Sequence, residues 1–431
     1  MSVFTIYCHG TGGHRDKSDD EIVAFMGRRA GGVEYSNFLI LDGVAGKPKN
    51  KDGLNPMAGS FNWADRNKSA KGKTAAELGG GASTTNSKIG RLQASAAGEG
   101  VEDNARHAIV TIADVAERHG LPDTINLVGW SRGSVTCLVI ANMLYDPTSV
   151  EGLFRSTKVN IFAVDPVAGQ EAGHGKDAEY RRLVPPSVKN YLGVLATGEN
   201  RETFKPQDLT RVQVVDPRSS NVMFLPFPGK HSTVAKSSDK KATEVSDIIF
   251  TLAHRFFDKF GSLQKTKPAM LSNADMLERY SGIVVRRNEY AKIKQKGALQ
   301  WVIGGGLGGG GFGKREFTKN LDQYTQSSAY FVNEHHRVLF EMLCPTLYRW
   351  LFTRTDASTG LAGRAVSSSH PAGREIGAAV GSRPMFIASL ATLGVDIQGT
   401  VVKLPAPGSA FDSRALHDLQ ARGDLTGMGV I

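Results

Sequence analysis

The chain has 431 residues, a formal charge of +10, 49 glycines and three cysteines. That length allows one or two domains with a full core, and the basic balance fits an anionic partner, a phospholipid surface or nucleic acid, or only a surface kept soluble by charge. No DNA- or RNA-binding signature stands out, no apolar run is long enough to span a membrane, and MSVFTIYCHG lacks the charged and apolar regions of a signal peptide.

From Ser2 the run VFTIYC reads as a central strand, apolar on both faces. It leads directly into His9-Gly10-Thr11-Gly12-Gly13. A glycine-rich loop after an early strand is where an α/β-hydrolase keeps its second oxyanion donor. Thr11 is the candidate by position, and an ordinary turn is the alternative. DDEIVAFMGRRA predicts a helix with an acidic start and a basic end, and VEYSNFLILDG predicts a strand closing at Asp42. From 43 to 98 the pattern dissolves into Gly, Lys, Asn, Ala and Ser, an insertion that either covers the site or is solvated. Residues 99–119 then form an amphipathic helix, ended by Gly120 and Pro122.

TINLVGWSRG, residues 124–133, organises the rest of the chain. A buried strand ends in Gly129-Trp130-Ser131-Arg132-Gly133, and SVTCLVIANMLY continues with helical spacing. This is the strand-turn-helix setting of a nucleophile elbow. The serine sits on a strained turn, the glycines let strand and helix meet closely, and the Arg132 backbone N–H faces any oxyanion formed at Ser131. The order strand, helix, strand, helix, strand predicts an α/β fold, a mostly parallel sheet with helices on both faces.

KVNIFAV is the next strand and ends at Asp165, which makes Asp165 the leading acid. Residues 170–208 are polar and irregular apart from one apolar stretch, YLGVLA. RVQVVDP predicts a further strand with Asp216 at its end, the alternative acid. VMFLPFPG comes next, and His231 stands in the loop PGKHST before a helix beginning near Thr243. Ser131, Asp165, His231 is the chain order of an α/β-hydrolase triad. His174 is the reserve base, and His107, His119 and His254 lie on predicted helices.

The expected domains are a hydrolase core over 1–261, a helical cap, lid or membrane-contacting region over 262–353, and an extension over 354–431. The glycine-rich segment 304–313 lacks the Lys-Ser/Thr end of a phosphate loop. Pro345 should kink or break a long helical pattern, and the tail from Pro405 reads as polar and loosely ordered. Cys8, Cys137 and Cys344 are odd in number and lack zinc-ligand spacing, which fits a reducing compartment.

Four motifs in this order, HGTGG, GWSRGS, VDPVAG and FPGKHS, resemble the serine α/β-hydrolase domain of the bacterial type VI secretion lipase effectors. The resemblance covers roughly the first 260 residues, in scattered motifs. It departs from the family at VDPVAG, where an aromatic-Asp-Thr-Val turn is usual, so the acid is the least secured member. It implies hydrolysis of membrane glycerophospholipids through an acyl-enzyme, with Ser131 as nucleophile, His231 as base and Asp165 orienting it. It also implies synthesis in the cytoplasm, a secretion-apparatus carrier into target cells, action at their membrane, and a cognate immunity protein. The chemistry calls for no metal or organic cofactor, with calcium dependence left open. A soluble carboxylesterase or thioesterase, and a non-catalytic membrane- or partner-binding module, are the alternatives; nucleic acid is not an expected partner.

Overall fold

A computed structural model of the chain describes residues 2–15, 20–43, 101–147, 152–169, 177–199, 201, 204–209, 211–237, 242–290, 292–293, 332–352, 365–366, 369–380, 383–398, 401–404 and 424–431. Most of the 43–98 insertion, the 304–313 segment and His174 lie outside them.

The centre is a six-stranded parallel sheet built from β1 (Val3–Cys8), β2 (Phe38–Leu41), β3 (Thr124–Trp130), β4 (Lys158–Val164), β5 (Val188–Ala196) and β6 (Asn221–Phe227). The spatial order is β2-β1-β3-β4-β5-β6. From β1 the chain goes first to one side and then returns to the other, so the winding reverses beside β1. In an open parallel sheet that reversal opens a crevice at the carboxyl ends of the strands.

The strands are apolar on both faces because both are covered. Phe4, Ile6, Leu127 and Ile161 pack under α2 (Val101–His119) and α3 (Arg132–Tyr145). Tyr7, Val128, Phe162 and Leu192 point the other way, to α1 (Ile22–Arg29) and α4 (Thr243–Lys259). Each such buried side chain contributes about 1.5–3 kcal/mol. This is an α/β-hydrolase-like fold.

Behind α4 the same apolar cluster continues into α5 (Asn273–Val285), α6 (Glu334–Leu343), α7 (Pro345–Phe352), α8 (Pro371–Val380) and α9 (Pro384–Thr392). Pro345 is the first residue of α7, so the helical pattern breaks there. Three short strands, Ala365–Val366, Asp396–Gln398 and Val401–Lys403, form a separate antiparallel sheet.

Four expectations change. VEYSNFLILDG is a strand only from Phe38; before it the chain turns, with Tyr35 at φ 64° and the Asn37 side chain accepting the Val33 N–H. YLGVLA belongs to a full strand, β5, between β4 and β6. Its Gly193 looks like a breaker, but a Cβ there would meet the Phe224 ring at 2.4 Å. The glycine makes room for a neighbour's ring. RVQVVDP does not join the main sheet; only Gln213–Val214 is strand, paired with Leu183–Val184. Lastly, the tail end is packed: Leu425, Met428 and Val430 are buried, and the Val430 carbonyl accepts from His335 and Arg255.

A row of amides crosses the sheet near the strands' amino ends. Asn160 donates to Asn126, Asn190 to Asn160 and Asn221 to Asn190, at 2.9, 2.8 and 3.3 Å. These residues are register partners along β3, β4, β5 and β6. At one end Asn126 donates to the Phe260 carbonyl and to Ser262 Oγ, which contacts Thr5 on β1. At the other, Asn221 exchanges two bonds with the Asp424 backbone.

Candidate active site

Ser131 sits between β3 and α3 with φ 57° and ψ −123°, a conformation costing about 1–3 kcal/mol. The surroundings hold it there. Its N–H donates to the Val164 carbonyl, and its carbonyl accepts from Ser134 N–H at 3.1 Å. Ser134 Oγ bonds the Gly129 and Val164 carbonyls, stitching the tops of β3 and β4. A Cβ on Gly129 would lie 2.4 Å from the Gly133 carbonyl carbon, and one on Gly133 would lie 2.1 Å from the Cys8 oxygen. Both glycines of the pentapeptide are therefore required by close backbone approach.

The loop after β1 lies beside this elbow. The Gly13 N–H closes a turn onto the Gly10 carbonyl, with Gly12 at φ 69°. A Cβ on Gly10 would meet the Trp130 ring at 2.9 Å. Arg132 Nη1 donates to Thr11 Oγ1 at 2.5 Å, so the two oxyanion candidates touch through a side chain. Neither the Thr11 nor the Arg132 backbone N–H has a backbone acceptor among the described residues. His9 anchors the loop from below, with Nδ1 2.9 Å from the buried Glu21 carboxylate, which also caps α1.

Asp165 ends β4 in the left-handed region, φ 42°, and is fully buried. One carboxylate oxygen accepts the Ala196 N–H at 3.0 Å; the other lies 2.5 Å from His231 Nδ1. Nδ1 makes the carboxylate contact, so Nε2 is the ring nitrogen turned away from Asp165. The His231 ring is stacked on Trp130, the residue before Ser131, with centroids 5.3 Å apart. Phe204 meets its other side edge-on at 5.0 Å. The imidazole thus lies beside the elbow, in contact with two aromatic rings.

Asp216 does not join this group. It stands after the minor Gln213–Val214 strand, and its carboxylate accepts the Arg218 N–H of its own turn. Burial pushes the His107 and His254 imidazoles down to about 4, so both are neutral packing groups at neutral pH. Among the described residues no group of three or more His, Cys, Asp or Glu side chains is arranged to hold a metal ion.

Two contributors escaped the sequence reading. Trp130 read only as the variable residue of the pentapeptide. Glu199, just past β5, is buried and accepts the His231 backbone N–H at 3.2 Å. It also holds Arg201, whose guanidinium lies 3.3 Å over the Phe204 ring centroid. Burial would raise the Glu199 carboxyl, but Arg201 and His231 outweigh it and hold it below its ordinary value.

The fold is of the α/β-hydrolase-like class. A family model described as a domain of unknown function, DUF5621, matches residues 272–412, in the helical region behind the sheet. No curated protein matches the chain by sequence. Among solved structures, a Tle1 effector bound to the VgrG spike of the type 6 secretion system is 14% identical, with a TM-score of 0.30 over 55% of this chain and 51% of that one. An uncharacterised protein from Pseudomonas aeruginosa is also 14% identical, with a TM-score of 0.37 over 98% of this chain and 66% of that one. The chain thus spans about half the length of the first.

Proposed function

We propose that this protein is a serine ester hydrolase acting on membrane glycerophospholipids, delivered by a secretion apparatus as an antibacterial effector. The observation that carries the hydrolase reading is the buried Asp165–His231 pair, its imidazole stacked on the residue that precedes the strained Ser131. In this reading Ser131 Oγ attacks the ester carbonyl while His231 Nε2 takes its proton. The tetrahedral oxyanion is met by the Arg132 and Thr11 N–H groups. His231 then protonates the departing lysolipid alcohol, and water, activated by the same imidazole, releases the fatty acid. Asp165 keeps the proton on Nδ1 and balances the imidazolium.

The lipid substrate and the delivery route rest on the motif resemblance and on the net charge of +10, which favours an anionic bilayer. The test is product analysis with vesicles of bacterial lipids and, separately, a soluble short-chain ester. Wild type should release fatty acid and lysophospholipid, and Ser131→Ala should lower the rate by about 10⁶-fold. Cleavage of the soluble ester alone would identify a carboxylesterase. Equal product from Ser131→Ala would sink the serine mechanism.

A further inference from the structure

The Arg132 side chain lacks the carboxylate partner that several other half-buried or buried arginines have; Arg29 lacks one too, but lies over the Phe25 ring and donates to the Phe25 carbonyl. Arg15 is paired with Glu34 and Asp42, Arg181 with Glu102, Arg201 with Glu199, Arg286 with Glu244, and Arg337 with Glu334. Arg255 lacks a carboxylate but donates to Asn273 and to two carbonyls. Arg132 donates once, from Nη1 to Thr11 Oγ1. Its Nε is buried with no hydrogen-bond partner, and its Nη2 bonds to no other described residue. The charged neighbour that acts on it is another cation, Arg181, whose own carboxylate is already taken.

A guanidinium withdrawn from water without a counter-charge is unfavourable. Burial first, and then Arg181, push this group down to about 10. The arrangement becomes favourable once an anion enters. The location fits such a guest. Arg132 reaches from the end of β3 to the loop after β1, beside the winding reversal, and Arg181 donates to the Ala168 carbonyl in the turn after Asp165. A neutral ester carbonyl needs only N–H donors and gives no reason for an unpaired cation here. A phosphodiester carries one negative charge and two non-bridging oxygens that suit a guanidinium fork. In a glycerophospholipid it is joined to the same glycerol as the scissile esters. Thr11 Oγ1, accepting from Arg132, keeps its own hydrogen for a phosphate oxygen.

We infer that the Arg132 guanidinium is the phosphodiester receptor of this site and makes the enzyme select phosphate-bearing esters over neutral ones. The inference rests on the reading of Ser131 as nucleophile. The experiment compares kcat/KM for phosphatidylglycerol and for diacylglycerol, presented in the same neutral detergent micelles, in wild type, Arg132→Met and Arg132→Lys. The phosphatidylglycerol-to-diacylglycerol ratio should exceed one in wild type. It should fall at least tenfold in Arg132→Met and less in Arg132→Lys, which keeps the charge but not the fork. A ratio unchanged because both rates fall together would overturn the inference and leave the side chain a brace for Thr11 or an oxyanion donor.

Inorganic phosphate, titrated into wild type by calorimetry at ionic strength matched with chloride, tests the receptor without turnover or a variant. Binding, weakened at least tenfold by Arg132→Met, is expected, and its absence in wild type overturns the proposal. Phosphate binding without preference for phosphatidylglycerol would overturn the assignment to substrate, because the site would then take the free ion. If neither lipid is cleaved in a Ser131-dependent way, the hydrolase reading fails, while the calorimetry still decides whether Arg132 holds phosphate.

Discussion

The two edges of the central sheet differ in how their central polar side chains are met. Near the amino ends, the amides of Asn126, Asn160, Asn190 and Asn221 bond to one another, and the row is closed by Ser262 at one end and the Asp424 backbone at the other. At the carboxyl ends, His9 Nε2, Trp130 Nε1 and Arg132 Nε are buried without partners, and Ser131 and Asp165 are held at positive φ. The amide row is satisfied and adds to stability and register, although the Ser187 and Ser220 hydroxyls beside it are buried without partners among the described residues. The carboxyl edge stores unmet bonding capacity and backbone strain, as a site awaiting a ligand does.

That contrast predicts that substitutions on the carboxyl edge act mainly on rate, and that those in the amide row act mainly on stability. The largest expected effect is Asp165→Asn, which should lower kcat by about 10⁴-fold in the ester-hydrolysis assay, whereas Asp216→Asn should stay within about twofold. Equal losses from both would break the assignment of the acid. Next is Asn160→Leu. It leaves Asn126 Oδ1 and Asn190 Nδ2 unpaired inside the sheet and should cost about 3 kcal/mol in chemical denaturation. Its kcat/KM, measured where the protein is folded, should remain within about twofold.

The smallest effect belongs to Glu199→Gln, which acts on His231 through its backbone N–H and its charge. Removing that negative charge disfavours the imidazolium, so the acid limb of the kcat/KM profile should move to lower pH. The stability effect has its own sign. The Glu199 carboxyl is held below its ordinary value, so its contribution is complete above the ordinary carboxylate range and is lost as pH falls through the depressed folded value. The stability gap between wild type and Glu199→Gln should therefore close on acidification. A gap independent of pH would mean that packing, not charge, explains Glu199.

Legibility in the sequence follows the range of the interactions. The elbow was readable because its glycines, strand and helix are contiguous. Asp165 and His231 were readable as a chain order, and the structure adds their contact across 66 residues. The amide row was invisible, since each strand carries one asparagine that looks like a blemish, and its partners lie 30 to 34 residues away. Glu199 sits in a polar stretch, and only a backbone bond to His231 gives it meaning. β5 was obscured by Gly193, whose purpose is to clear space for Phe224 on the adjacent strand. In the tail only residues 424–431 are described, and their packing is hard to see because Leu425, Met428 and Val430 are scattered among glycines, yet each turns inward.

The stacking of Trp130 on His231 has an optical consequence. An imidazolium quenches the emission of an indole it lies against more strongly than a neutral imidazole does. Trp130 thus converts the charge of His231 into light intensity, and the other tryptophans, Trp63, Trp301 and Trp350, give a background that a Trp130→Phe variant subtracts. A fluorescence titration of the resting protein would follow His231 directly, with no substrate and no turnover.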